Sequence, residues 1–151
     1  MYRLIMVIGA MAAICLAAGC GGSGEEATSA PLTKAQFIKQ ADAICAKAAK
    51  DREAASEAWS KERSASSAET AAELEEGLKE VVAPALKRQA EQLEALAAPA
   101  SDRAEVAHMI DTLASASEAI EREPKQAFQS SIPQFEREAK AYGLKDCQRT
   151  I

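Results

Sequence analysis

The chain has 151 residues, with 18 Lys+Arg against 23 Asp+Glu and a single His; 48% of its positions are apolar and only 4% aromatic. Thirty-five residues are alanine, which favours helix over sheet, and the length allows one domain. The acidic balance, with no Lys/Arg cluster interleaved with aromatics, argues against a nucleic-acid partner, and one His excludes most metal and acid/base sites.

Residues 1–19 have the layout of an export signal. One charge, Arg3, precedes an apolar run from Leu4 to Leu16 that falls short of the roughly 20 residues a helix needs to cross a bilayer. Small residues follow at once. Ala17-Ala18-Gly19-Cys20 resembles a bacterial lipobox, in which cleavage before the Cys leaves that residue as a lipidated N-terminus. Leu16 sits one place further out than the usual Leu, with Ala17 in its slot. The alternative is an ordinary signal peptide with an incidental Cys. Residues 20–32 then form the lipidated Cys and a flexible tether, because the stretch from Gly21 to Pro31 has no hydrophobic pattern. Such a tether spans roughly 20 Å root-mean-square.

A helical domain is expected over residues 33–149. Thr33 and Gln36 form a T-x-x-Q capping box, with Leu32 placed to pack on Phe37 as a hydrophobic staple. Phe37, Ala41, Ile44, Ala48, Ala55 and Trp59 then give one apolar stripe as far as Arg63, with Arg52 among the charges mostly off it. Trp59 reads as a core plug. Ser66 and Glu69 offer a second capping box. From there Leu74, Leu78, Val81, Ala85, Gln89, Leu93 and Leu96 continue the period, and Pro84 inside it predicts a kink or two shorter helices.

Ser101 is the expected N-cap of a third helix, whose inward positions are Val106, Ile110, Leu113, Ser117 and Ile120. Pro124 starts the last helix, and Phe128, Ile132, Phe135, Ala139 and Tyr142 form its stripe, with a bend expected at Pro133. Gly143 fits a left-handed C′ position and Leu144 the contact that follows it. Four amphipathic helices joined by short turns predict an all-α, up-down-up-down four-helix bundle.

Of the four cysteines, Cys15 leaves with the signal and Cys20 takes the lipid, so Cys45 and Cys147 remain for one disulfide; two free thiols are the alternative. The pair is 102 positions apart, and closing such a loop stabilises by roughly 4–5 kcal/mol in the chain-entropy account. In the expected topology the last helix is shorter than the first, so a tail ending at Cys147 reaches Cys45 about three turns into the first helix.

No motif carries catalysis or a cofactor. Glu105 and His108 make a single E-x-x-H, but carboxylate-bridged di-iron bundles need two copies with further glutamates. His108 also falls on the side of its helix away from Val106 and Ile110. Met109 neighbours His108 instead of facing it, which disfavours a haem site. No G-x-S-x-G or S-x-x-K stands after the signal. The acidic run Glu73, Glu75, Glu76 and Glu80 reads as a solvated face.

Phe37-x-x-x-Ala41-Asp42-x-Ile44-Cys45 near the start, and Ala141-Tyr142-Gly143-Leu144-x-x-Cys147 at the end, resemble the bracketing motifs of small uncharacterised lipoproteins of high-GC actinobacteria. The resemblance covers residues 33–147 and the lipobox. It implies an envelope location and a Cys45–Cys147 bridge, and no activity. The expectation is therefore a non-catalytic protein without cofactor, exported and lipid-anchored to the outer face of a bacterial membrane, whose partners are that membrane and an envelope protein. The alternative is a carrier of a small apolar ligand, with a pocket between helices lined by Leu78, Val81, Phe128 and Phe135.

Overall fold

A computed structural model describes residues 30–63 and 70–148. Among them every regular element is helical: α1 (Lys34–Arg63), α2 (Ala71–Gly77), a π turn (Leu78–Val82), α3 (Ala83–Glu94), α4 (Arg103–Arg122), α5 (Pro124–Tyr142) and a closing 3-10 turn (Asp146–Gln148). The backbone stays right-handed helical through Gly77, Leu78, Val82 and Ala83, so α2, the π turn and α3 form one continuous helix. The described residues thus form four helices and a short tail.

Local chemistry starts each helix. Thr33 and Gln36 cap α1 as expected, the Gln36 side-chain oxygen accepting from Thr33 N–H at 2.9 Å and Thr33 Oγ1 from Gln36 N–H at 3.3 Å. Leu32 is half-buried against the core that contains Phe37. Ser66 and Glu69 lie outside the described residues; the capping box at the start of α2 is made by Thr70 and Glu73. The N-cap of α4 is Asp102, one residue after the expected Ser101. Its carboxylate does not cap the helix, because it is drawn to Tyr142, Lys34 and Ser101 instead. Pro124 opens α5, where its missing N–H costs nothing. Gly143 closes α5 at φ 108°, with Gly143 N–H reaching Lys140 O at 3.1 Å and Leu144 N–H reaching Ala139 O at 2.9 Å, a Schellman ending.

Pro84 neither splits its helix nor leaves a plain α-helical kink. Proline has no N–H to give the carbonyl four residues back, and its ring crowds that carbonyl. The π turn directly before it widens the helix, with Ala83 N–H bonded to Leu78 O across five residues. The Ser117 hydroxyl of α4, buried, donates to Ala83 O at 2.8 Å and fastens the widened turn to its neighbour. Helix α5 continues through Pro133 unbroken.

The core draws on every helix. Phe37, Leu86, Leu93, Leu113, Ile120, Phe135 and Leu144 are fully buried. Helix α4 packs between α3 and α5, while α1 rests on α3, the π turn and the closing turn. Four expectations need correction. Leu74 and Phe128 are 48% and 41% exposed, Phe128 giving its inward place to Ala127. Arg52 is buried, because the inner line of α1 runs Phe37, Ala41, Cys45, Arg52. Trp59 is only half-buried and outside the core cluster. Length explains it: α1 has 30 residues and α4 has 20, about 45 Å against about 30 Å, so among the described residues the last turns of α1 meet α2 and the π turn.

Candidate functional site

The residues of the two bracketing motifs converge on the end of the molecule where α1 begins. Leu32 N–H donates to Ala97 O at 3.0 Å, which fixes the incoming chain beside the end of α3. One turn further on, the Phe37 ring meets Tyr142 edge-on with centroids 5.8 Å apart. The Tyr142 hydroxyl donates to Asp102 at 2.9 Å, and the Lys34 ammonium lies 4.1 Å from the Tyr142 ring centroid and 3.5 Å from the Asp102 carboxylate. Burial, and then this bond to an anion, push the phenol of Tyr142 well above its ordinary range. The hydroxyls of Ser101 and Tyr142 hold the Asp102 carboxyl below its own.

Asp42 and Cys45 fasten the tail. Asp42 Oδ1 accepts from the backbone N–H groups of Lys145 and Asp146 at 2.8 and 3.0 Å, so a side chain of α1 satisfies donors that the closing turn leaves open. One turn along, Cys45 and Cys147 stand at disulfide distance, Cα to Cα 5.1 Å, both buried. Behind them Gln89 of α3 donates its amide to Cys45 Sγ at 3.2 Å, while its buried Oε1 has no partner among the described residues. Phe37, Asp42, Cys45, Tyr142, Gly143, Leu144 and Cys147 thus form one clasp between the first helix and the tail. The two motifs that bracket the sequence are its two halves. Asp102, Lys34 and Gln89 complete it; Gln89 stands on the predicted stripe of its helix, while Lys34 and Asp102 belong to neither motif.

The other singled-out residues stand elsewhere. Cys20 and Cys15 lie outside the described residues. His108 is exposed, 3.6 Å from Glu138 of α5, and Glu105 is exposed too. Among the described residues no three His, Cys, Asp or Glu side chains gather as a metal-holding group, and no helix is long and apolar enough to cross a membrane. Trp59 lies flat on Gly77, where an added Cβ would come within 3.3 Å of the indole, and its Nε1–H donates to Glu80 at 2.9 Å. The acidic run is used internally: Glu73 in the capping box, Glu75 with Lys125 at 2.9 Å, and Glu76 and Glu80 with Arg63 at 3.0 and 3.1 Å. Leu78, Val81 and Phe135 are buried but Phe128 lies outside, so the four do not converge as walls of one ligand pocket.

Arg52 is the buried charge of α1. Desolvation lowers its pKa, and the Glu136 carboxylate of α5 partly offsets this. No protein-family model matches the chain, and no curated protein or solved structure matches it either.

Proposed function

We propose that the chain is a non-catalytic, lipid-anchored envelope module: exported by residues 1–19, acylated on Cys20, hung on the tether to residue 32, and folded as an up-down-up-down bundle closed by a Cys45–Cys147 bond. It holds a partner-binding or structural surface at a short distance above a bacterial membrane. The observation that carries this reading is the way the chain enters the bundle. A lipobox-like Ala17-Ala18-Gly19-Cys20 and a glycine-rich stretch lead directly to Leu32, which is pinned to Ala97 O, and to the Thr33 cap. The clasp of Asp42 on the tail and the Cys45–Cys147 pair stands at that same end. The meeting of the start of α1 with the end of α3, the start of α4 and the end of α5 supports the up-down order.

The test is the intact mass and partitioning of protein extracted from native membranes. Acyl chains on an N-terminal Cys20, and release of Cys20→Ala into the soluble fraction, are expected. An unacylated mature chain, or Cys20→Ala retained on the membrane like the wild type, overturns the anchoring.

A further inference from the structure

Most carboxylates at the ends of the molecule are committed to the fold; those between α3 and α4 are not. A groove of about 500 Å³ runs there, with Ala90, Ile110 and Ala114 along its floor. Glu91, Glu94, Asp111, Glu118 and Glu121 stand along it, against the cations Lys87 and Arg122. Among these carboxylates only Glu118 has an ion pair among the described residues, at 3.7 Å to Arg122.

The complementary surface is on α1 of the same chain. Lys39, Ala43, Ala46 and Lys50 follow one another along α1 in steps of four, three and four, which sets them within about 60° of one another and opposite the buried Phe37. Lys47 flanks this ridge and is shared with Asp51; Lys39 and Lys50 have no anionic partner among the described residues. Small residues between lysines make a ridge that can approach closely, and small residues between carboxylates make a groove that can receive it.

We propose that the partner of this groove is a second copy of the chain, with the α1 ridge of one copy lying in the α3/α4 groove of the next. The two faces differ, so the contact is head-to-tail and propagates sideways. This rests on the anchoring reading: copies tethered at the same end stand the same way up, and confinement to a surface raises the effective concentration of a contact that is weak in solution. Exposed ion pairs contribute little singly, and salt screens them.

The experiment uses full-length acylated protein on phosphatidylcholine vesicles, isotopically light and heavy copies being mixed before zero-length carbodiimide crosslinking. Light-to-heavy crosslinks from Lys39, Lys47 or Lys50 to Glu91, Asp111, Glu118 or Glu121 are expected, falling at least tenfold in about 1 M salt, where the Debye length is about 3 Å. Two variants, Lys39→Glu/Lys47→Glu/Lys50→Glu and Glu91→Lys/Glu118→Lys/Glu121→Lys, should each lose them while keeping wild-type helicity by circular dichroism. Mixed together they should regain them, because each supplies the face the other lacks. Crosslinks that survive in either variant alone, that fail to return on mixing, or that never join α1 to α3 or α4 overturn the proposal. If the protein proves unacylated, anchoring alone falls, and the same variants in concentrated solution, read by sedimentation equilibrium, decide the interface.

Discussion

Replacing Asp42 by Ala tests whether the clasp is held by its hydrogen bonds or only by its sulfurs. One carboxylate oxygen takes two backbone N–H groups, at 2.8 and 3.0 Å, that the closing turn cannot satisfy itself. A cap of this kind is worth about 0.5–2 kcal/mol, and an anionic acceptor lies toward the upper part of that range. Partial exposure of Asp42 lowers it again, so the expected loss is about 1–1.5 kcal/mol. With a urea dependence of about 2 kcal/mol per molar, the unfolding midpoint should fall by roughly 0.5–0.8 M. Asp42→Asn keeps an accepting oxygen at the same place and should lose less than half as much. Amide exchange locates the effect: Lys145 and Asp146 should lose protection in Asp42→Ala while α3 and α4 keep theirs. A midpoint unchanged within about 0.3 kcal/mol, together with unaltered exchange at those two amides, would refute the reasoning.

Three further outcomes are expected. Unreduced, denatured mature protein should show no free thiol from Cys45 or Cys147, and the doubly substituted Cys45→Ala/Cys147→Ala protein should be less stable by about 4–5 kcal/mol, the constraint of a loop spanning 102 positions; two titratable thiols would end that assignment. Tyr142 has a folded-state pKa above its unfolded one, so the stability it lends is present below about pH 10 and is lost as the unfolded phenol ionises above that. The thermal midpoint of the wild type should therefore drop more steeply between pH 9 and 11, in round terms, than that of Tyr142→Phe, and parallel curves would contradict the Tyr142–Asp102 contact. Ser117→Ala removes the buried donor to Ala83 O and should cost about 1 kcal/mol in chemical denaturation; a neutral result would mean that the π turn does not need α4.

The parts of the fold legible in the sequence are those written in local chemistry. The Thr33–Gln36 box, Pro124 at a helix start and Gly143 with Leu144 at a helix end each satisfy backbone groups within a few residues, so their spacing alone specifies them. The pairing of Cys45 with Cys147 followed from elimination and from a length argument. Phe128 and Leu74 misled because the 3.6-residue period gives the direction of a face but not whether another helix lies against it. Arg52 misled for the opposite reason: a guanidinium can be buried where a carboxylate such as Glu136 faces it across two helices, and no local pattern records that. Asp42 was visible only as part of a motif. Its role depends on the tail folding back over a hundred residues later, which spacing along one helix cannot express.

The distribution of contacts along α1 gives the helix two unequal halves. From Leu32 to Cys45 it is fixed by a backbone bond, an aromatic contact, an ion pair, a side-chain cap and the cysteine pair. Beyond Arg52 no residue of α1 is buried, and its last turn is held at the surface by Trp59 against Gly77 and by Arg63 against Glu76 and Glu80. Exposed ion pairs and a half-buried ring are weak compared with a core, so local opening starts at the Arg63 end. In the proposed anchoring the tether joins at the other end. With the proposed anchor and the proposed Cys45–Cys147 bond, a load arriving through Leu32 meets the half of α1 joined to the tail and passes through Cys45 and Cys147 toward α5, bypassing the weak far turns. An anchored protein that carried its crosslink near Arg63 instead would let the same load peel the first turns of α1 away before the crosslink was reached. Under the proposed anchoring, the placement of the clasp, more than its chemistry, fits this fold to hanging from its N-terminal end.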